Sequence, residues 1–304
     1  MPEGQHKASI DFTIGSRRLF AVDRKLATWS FSLEDVLAAS CASRPPKGRD
    51  GMRVLSAPQS ILSSIISQFP EHLIGGRQDY ERHYIDMAGS YEDYLARFSG
   101  KTRSTLRRKQ RKLAKEIGNP YAVTEHRSAS EVEAFLQAAL PLSAKTYQSR
   151  LLDAGLPETA QARARMLEAA REDRMRCFLL HSGNGPIAYL SLPVVGDTLV
   201  YAHLGYDPDW SRLSPGTVLQ MEALERLFAE RRFRYFDFTE GEGAHKSMFG
   251  TASVACSSFV MLEPTPANRA LLGARSGFDR LVTASKTLAE RTGALGHIRT
   301  LLKT

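Results

Sequence analysis

The sequence predicts an α+β fold, a mixed and mostly antiparallel sheet flanked by helices, and three observations predict it. Between Arg176 and Leu204, apolar residues fill three short runs (176–180, 186–195, 198–204) parted by Gly183-Asn184-Gly185 and Gly196-Asp197. Asn and Gly tolerate the positive φ of tight hairpin turns, so an antiparallel meander is expected there. Ser214-Pro215-Gly216-Thr217 then opens a helix running to Arg232, with serine as N-cap and proline at the first helical position. A further strand from Arg234 to Thr239 follows that helix, and a last one spans Ala255 to Leu262. Hairpins followed by helix, strand, loop and strand make an α+β or mixed-sheet unit.

Earlier elements come in order. The first hundred residues show short strand-like runs at Leu19 to Val22, Met52 to Leu55 and Tyr84 to Met87, with helices around Leu33 to Ala39 and Ser60 to Ile66. Pro45, Pro46 and the charged stretch to Gly51 read as a loop, and Gly75-Gly76 is a second break. A helical stretch starts at Tyr91. Lys101 to Ile117 is a helix free of Pro and Gly, with a narrow apolar stripe of Leu106, Gln110, Leu113 and Ile117, and Asn119-Pro120 stops it. Residues 130–147 and 158–172 are helical, and the tail from Arg269 is an amphipathic basic helix broken at Gly293 and Gly296. At 304 residues the chain exceeds one typical domain. We expect three segments: 1–125, 126–265 and 266–304.

The net charge of +8 is uneven. Residues 101–117 carry eight Lys or Arg against one acid, and 269–304 carry seven against two, so the rest of the chain is net acidic. Local basicity of this kind points to anionic partners at two places. No run approaches the roughly 18 apolar residues of a membrane span and no signal peptide is evident, which makes the cytoplasm the expected location. Cys41, Cys177 and Cys256 lack metal-site or disulfide spacing and are expected to be buried thiols. No His-x-x-x-His, Cys-x-x-Cys or Gly-x-Ser-x-Gly pattern occurs, so neither a metal nor a serine nucleophile is expected.

Two stretches could carry chemistry. The first runs from a strand through Leu204-Gly205-Tyr206-Asp207-Pro208 and Arg212-Leu213-Ser214-Pro215-Gly216-Thr217 into the helix. Amides at a helix start are free and the dipole there favours negative charge, so this loop could hold a pyrophosphate; a plain capped helix reads the residues equally well. The second is Phe236-Asp237-Phe238-Thr239-Glu240-Gly241-Glu242-Gly243-Ala244-His245-Lys246, where two or more acids, a histidine and a lysine leave an apolar strand for a glycine-rich turn. Such a set could transfer a proton or fix an acceptor, or be a solvated loop with local ion pairs.

These stretches, with Lys101-Thr102-Arg103 to Arg111, resemble the acetyltransferase family associated with cellulose and exopolysaccharide biosynthesis, in the GNAT superfamily, and the basic segment is similar to that of Fem-type peptidyltransferases. The likeness covers about residues 80–262. It implies that the first half is a degenerate GNAT-like copy packed on a catalytic second half. It also implies acetyl-CoA or another acyl-CoA as donor, with pyrophosphate near Gly216 and Thr217 and the pantetheine arm between 198–204 and 234–239. The family usually has tyrosine where this chain has His245.

On this reading Asp237 or Glu240 is the candidate base. A backbone amide around His203, Leu204 and Gly205 is the oxyanion donor, and His203 itself reads as a hydrogen-bonded core histidine. Tyr206 would protonate the leaving thiolate, and His245 and Lys246 would contact substrate. Arg212 and Ser214 join the donor site. Lys101, Arg103, Arg107, Lys145 and Tyr147 are candidate acceptor contacts. The acceptor expected is a sugar, amino sugar or amino-acid-like amine or hydroxyl. A Fem-type transferase using aminoacyl-tRNA is the alternative, and a non-catalytic binder of nucleic acid or anionic membrane is the second, with Leu271, Leu272, Phe278, Leu281 and Leu288 forming one face of the tail.

Overall fold

The computed structural model describes residues 6–14, 17–41, 45, 47–118, 121–146, 155–241 and 243–291. They form two compact units, Arg82–Ser253 and Met1–Glu81 with Val254–Thr304. These limits differ from the divisions at 125/126 and 265/266, because burial groups the elements otherwise. The basic helix places Leu106 and Leu113 in one core with Val218 and Phe236, while Leu271 of the tail packs with Ile10 and Leu262.

The unit of the two termini holds β1 (His6–Ile14), β2 (Arg17–Ser30), α1 (Leu33–Leu37), β3 (Gly51–Pro58), α2 (Leu62–Ser67), and most of β4 (Leu73–Asp86). β1 pairs antiparallel with β2, and β2 runs parallel to β3. The sequence reading missed β1 and saw only four residues of β2. β1 does alternate, Ala8, Ile10, Phe12 and Ile14 against Lys7, Ser9, Asp11 and Thr13, whereas β2 is rich in charge and its Leu19 and Phe20 are exposed, so no clean alternation marks β2.

The Arg82–Ser253 unit begins with the end of β4 and continues through α3 (Tyr91–Ala96), α4 (Gly100–Ile117), β5 (Ala122–His126), α5 (Ala129–Lys145) and α6 (Ala160–Arg171). Then come β6 (Met175–Ser182), β7 (Gly185–Val195), β8 (Thr198–Val200), β9 (His203–Tyr206), α7 (Pro215–Glu230), β10 (Tyr235–Asp237) and α8 (Ala244–Phe249). Its sheet runs in the order β4-β10-β8-β7-β6-β5, with β9 pairing β7. All its pairs are antiparallel except β8 with β10.

This sheet is covered on both faces. Cys177, Leu179 and Tyr189 pack with Val132, Phe135 and Leu136 of α5, whereas Phe178, Leu180, Ala188 and Leu190 pack with Val218, Leu219 and Leu224 of α7. Double burial explains why β6 and β7 read as continuous apolar runs instead of alternating ones. Capping boxes at Ser90/Asp93 and Ser128/Glu131 start α3 and α5.

β11 (Ala252–Leu262) then leads back to the first unit, where it pairs antiparallel with β3, and α9 (Pro266–Arg291) follows. In α9, Leu271, Leu272 and Phe278 face that unit's own core, Leu281 is exposed, and Gly293 and Gly296 lie outside the described residues. Among the described residues no helix is long and apolar enough to cross a membrane. Cys177 and Cys256 are buried as expected; Cys41, just past α1, is exposed, which corrects that expectation.

Two buried charges join strands in the Arg82–Ser253 unit. Arg82 Nε and Nη2 bond Asp237 Oδ1 and Oδ2 at 3.1 and 2.5 Å, with the side chains 7% and 1% exposed. Removing one partner leaves the other charge buried and uncompensated. Arg82→Leu should therefore lose about 3–5 kcal/mol in urea denaturation, and Arg82→Leu/Asp237→Leu should recover much of it. A loss under about 1 kcal/mol in the single variant would show the pair to be dispensable.

Candidate active site

The site is built by a strand that stays on one neighbour and loses the other. Over Thr198, Leu199 and Val200, β8 runs parallel beside Tyr235, Phe236 and Asp237 of β10, and the Tyr201 amide still reaches the Asp237 carbonyl at 2.8 Å. The chain then leaves β10: Thr198 and Leu199 already pair with Val195 and Val194 of β7, and His203 to Tyr206 continue along β7 opposite Ser191 to Ala188, one residue out of register. The expected strand 198–204 is thus two strands with a break at Tyr201-Ala202. Asp207 N donates to Ile187 O at 2.9 Å, and in this antiparallel register amides alternate between sides. Those of Gly205 and His203 therefore face β7, and those of Leu204 and Tyr206 face the side that β10 has left.

Glycines let two close approaches happen. A Cβ on Gly205 would lie 2.5 Å from the ring of Tyr189, which is buried and bonded to Ser143 Oγ at 3.1 Å. A Cβ on Gly216 would come within 2.8 Å of Leu204 Cδ2 and 3.2 Å of Tyr206 Cδ1. The start of α7 is thereby seated directly on β9. Ser214 is the residue before that helix, as expected, but it is left-handed (φ 55°) and makes no side-chain cap bond, which corrects the capping role assigned to it. With Pro215 lacking an N–H, the amides of Gly216 and Thr217 have no helical carbonyl before them and stay available.

Helix α4 lies along α7. Lys109 Nζ is 3.5 Å from Thr217 Oγ1, Gln110 bonds Glu222 at 3.1 Å, and Arg212 pairs with Glu116. Lys109 thus brings a cation to the helix start. It belongs to the basic run but was not singled out, although its spacing of three from Leu106 puts it on the inward stripe. Lys101, Arg107, Arg108, Lys109 and Arg111 have no acid within 4.0 Å among the described residues. Arg103 reaches the Ala96 carbonyl at 3.3 Å, and with Arg107, Gln110 and Arg111 it lines an open hollow of about 570 Å³ along α4. Lys145 stands elsewhere, 3.5 Å from Asp207 at the end of β9. Tyr147 and Arg150 lie outside the described residues, as does Glu242.

Beyond β10, Thr239 adopts φ 60°, a strained value for a β-branched residue, and its amide donates to Asp237 Oδ1 at 2.8 Å. With Arg82 on both oxygens, Asp237 is a fixed and buried carboxylate, not one open to an acceptor. Glu240 is exposed, and its carbonyl accepts from Lys246 Nζ. The stretch read as a glycine-rich loop contains the short helix α8, which carries His245 and Lys246. His245 Nε2 bonds Gln220 Oε1 of α7 at 2.7 Å and lies 3.5 Å from the Tyr201 hydroxyl. Tyr201 and Gln220 are additions to the residues read from the sequence. Gln220, a polar residue inside the run Val218-Leu219-Gln220-Met221, was the available signal.

Burial, then the charges of Lys109 and Lys246, hold the His245 imidazole below its usual pKa. Burial likewise lowers the Lys246 ammonium, against the pull of Asp237 and Glu240. Burial pushes the Tyr201 phenol well above its ordinary value. For His245 the unfolded chain binds the proton more readily, so folding stability from this group is present above about pH 6.5 and is lost as pH falls below it. His245→Gln should therefore flatten the fall in stability between about pH 6.5 and 5 seen in denaturation curves, and an unchanged slope would contradict this. Gly205→Val should displace β9 or Tyr189 and cost about 1–3 kcal/mol, measured the same way.

The acetyltransferase (GNAT) domain family matches residues 100–247. Among solved structures the chain is similar to FemX at 10% identity, over 86% of this chain and 89% of that one, with a TM-score of 0.49. It is similar to a C-terminal domain assigned to a lysylphosphatidylglycerol synthetase of Agrobacterium fabrum at 14%, over 75% and 72%, with a TM-score of 0.49. A GCN5-related N-acetyltransferase from Kribbella flavida aligns at 12%, over 70% and 67%, with a TM-score of 0.39. No curated protein matches the sequence. At such scores the structural likenesses carry no weight of their own. The strand that leaves its neighbour, the helix seated at the opening and the domain match agree: residues 100–247 form a GNAT acetyltransferase domain, and the protein is an acyltransferase.

Proposed function

We propose that the protein transfers an acyl group, acetyl in the simplest case, from coenzyme A to an amine or hydroxyl of a sugar, amino sugar or amino-acid-like acceptor. The departure of β9 from β10 carries this reading. Two parallel strands that part beside a helix start leave unpaired backbone donors along a slot, and the pantetheine arm has amides that can pair with such an edge. The pyrophosphate then sits against the Gly216 and Thr217 amides, with Lys109 and Arg212 supplying positive charge. The Leu204 amide is the oxyanion donor, and Tyr206, at the mouth of the slot and 38% exposed, returns a proton to the thiolate. A polysaccharide-related acceptor and a duplicated origin for residues 1–125 belong to this proposal and rest on the family resemblance alone.

One observation favours a second reading. The exposed cations of α4 without acidic partners suit a polyanion, so an aminoacyl-tRNA donor of the Fem type is the runner-up. Calorimetric titration with acetyl-CoA at two salt concentrations separates the two. Saturable binding with a modest salt effect, weakened at least tenfold by Thr217→Glu and unaffected by Arg107→Gln, is the expected result; thiol release with a panel of amino sugars, sugars and amino acids then names the acceptor. No binding of acetyl-CoA or longer acyl-CoAs, together with salt-steep binding of charged tRNA that Arg107→Gln weakens, would replace the donor.

A further inference from the structure

We infer that His245 is the general base of the transfer and that Gln220 is its positioning residue, holding the imidazole in the tautomer that leaves Nδ1 free to accept a proton. This rests on the acyl-CoA reading above and adds to it the group that deprotonates the acceptor.

The argument starts with Gln220. It is fully buried on α7, one turn past Gly216, in the middle of an apolar face. Its Oε1 is 2.7 Å from His245 Nε2, while its Nε2 has no hydrogen-bond partner among the described residues. A carbonyl oxygen only accepts, so with Oε1 facing the ring we assign the proton to Nε2. Nδ1 is then an unprotonated nitrogen, and it makes no hydrogen bond among the described residues. The orphaned amide N–H of Gln220 is a second sign of a missing ligand, since a carbonyl of the bound donor could accept from it.

Position supports the role. Tyr201, at the point where the strand leaves β10, lies 3.5 Å from His245 Nε2, and the ring packs against Phe238 and Phe249 at 6.1 and 4.8 Å between centroids. His245 is therefore held to α7 through Gln220 and lies beside Tyr201, where β8 gives way to β9. Lys109 on α4 and Lys246 on α8 are the charged groups that act on it, and both favour the neutral ring. The carboxylates of the same stretch are less suited: Asp237 is held by Arg82 and the Thr239 amide.

In the step itself the acceptor's nitrogen or oxygen bonds to the thioester carbonyl carbon while its proton passes to Nδ1. The C–S bond breaks and its electron pair goes to sulfur. The thiolate takes a proton from Tyr206, which regains one from water, and the imidazolium returns its own to solvent.

The test joins a spectroscopic and a kinetic readout. In wild-type protein at pH 7.5, long-range proton–nitrogen correlation should show His245 neutral with the proton on Nε2, and a proton on Nδ1 would overturn the proposal. With the acceptor that gives the fastest thiol release from acetyl-CoA, His245→Gln should lower kcat by about 10²- to 10⁴-fold. Gln220→Glu, which puts a carboxylate against the Nε2 proton, should move the acidic limb of the kcat profile to higher pH, while Gln220→Leu should lower kcat and leave KM for acetyl-CoA within about threefold. A kcat in His245→Gln within threefold of wild type, in protein that still binds acetyl-CoA, sinks the base and spares the donor reading. A wild type that binds no acyl-CoA sinks the donor reading and this step together.

Discussion

The buried pair of Arg82 and Asp237 is the constraint on which the site depends. It locks the end of β10 to the end of β4, and the same carboxylate accepts from the amide of Thr239. That bond holds Thr239 at a positive φ and so turns the chain sharply out of the sheet. Past the turn the chain enters α8, which carries His245 and Lys246. An acid that looks catalytic in the sequence is thus the anchor that aims the residues after it.

Around that anchor the slot arises from a shift of register. β8 and β9 both run along β7, with a one-residue shift of register at the Tyr201-Ala202 break, and only β8 keeps β10 on its other side. Gly205 lets β9 press onto Tyr189, and Gly216 lets α7 press onto β9. With the amides of Leu204 and Tyr206 left without a strand partner, the structure holds hydrogen-bonding capacity in reserve where the donor's arm is proposed to lie.

The basic helix shows how one element can have two faces with different tasks. Leu106 and Leu113 bury it against α7, and Lys109 and Gln110 on that same stripe reach Thr217 and Glu222. Of the remaining cations, Arg103, Arg107 and Arg111 line an open hollow, with no acid paired to them among the described residues. Charge counting finds the helix, but only its packing tells which cation serves the start of α7.

Local chemistry by itself determined a good part of this protein. Turn glycines, apolar runs and proline at the first turn of α7 fixed the meander, the helix and the strand beyond it, because those signals act over a few residues. The sequence also located the two stretches that build the candidate site, and with them the likeness to GNAT acetyltransferases. It could not show β2 and β5, whose charged and exposed residues leave no clean alternation, nor α8, hidden in a glycine-rich stretch; the alternation of β1, by contrast, was legible. Nor could it show that Asp237 pairs with a residue 155 positions away, or that Gln220 and His245 meet. Those facts depend on strand register and helix docking, which are set by the sum of distant burial and not by any local pattern, so only the tertiary structure decided which polar groups are spent on the fold and which are left for chemistry.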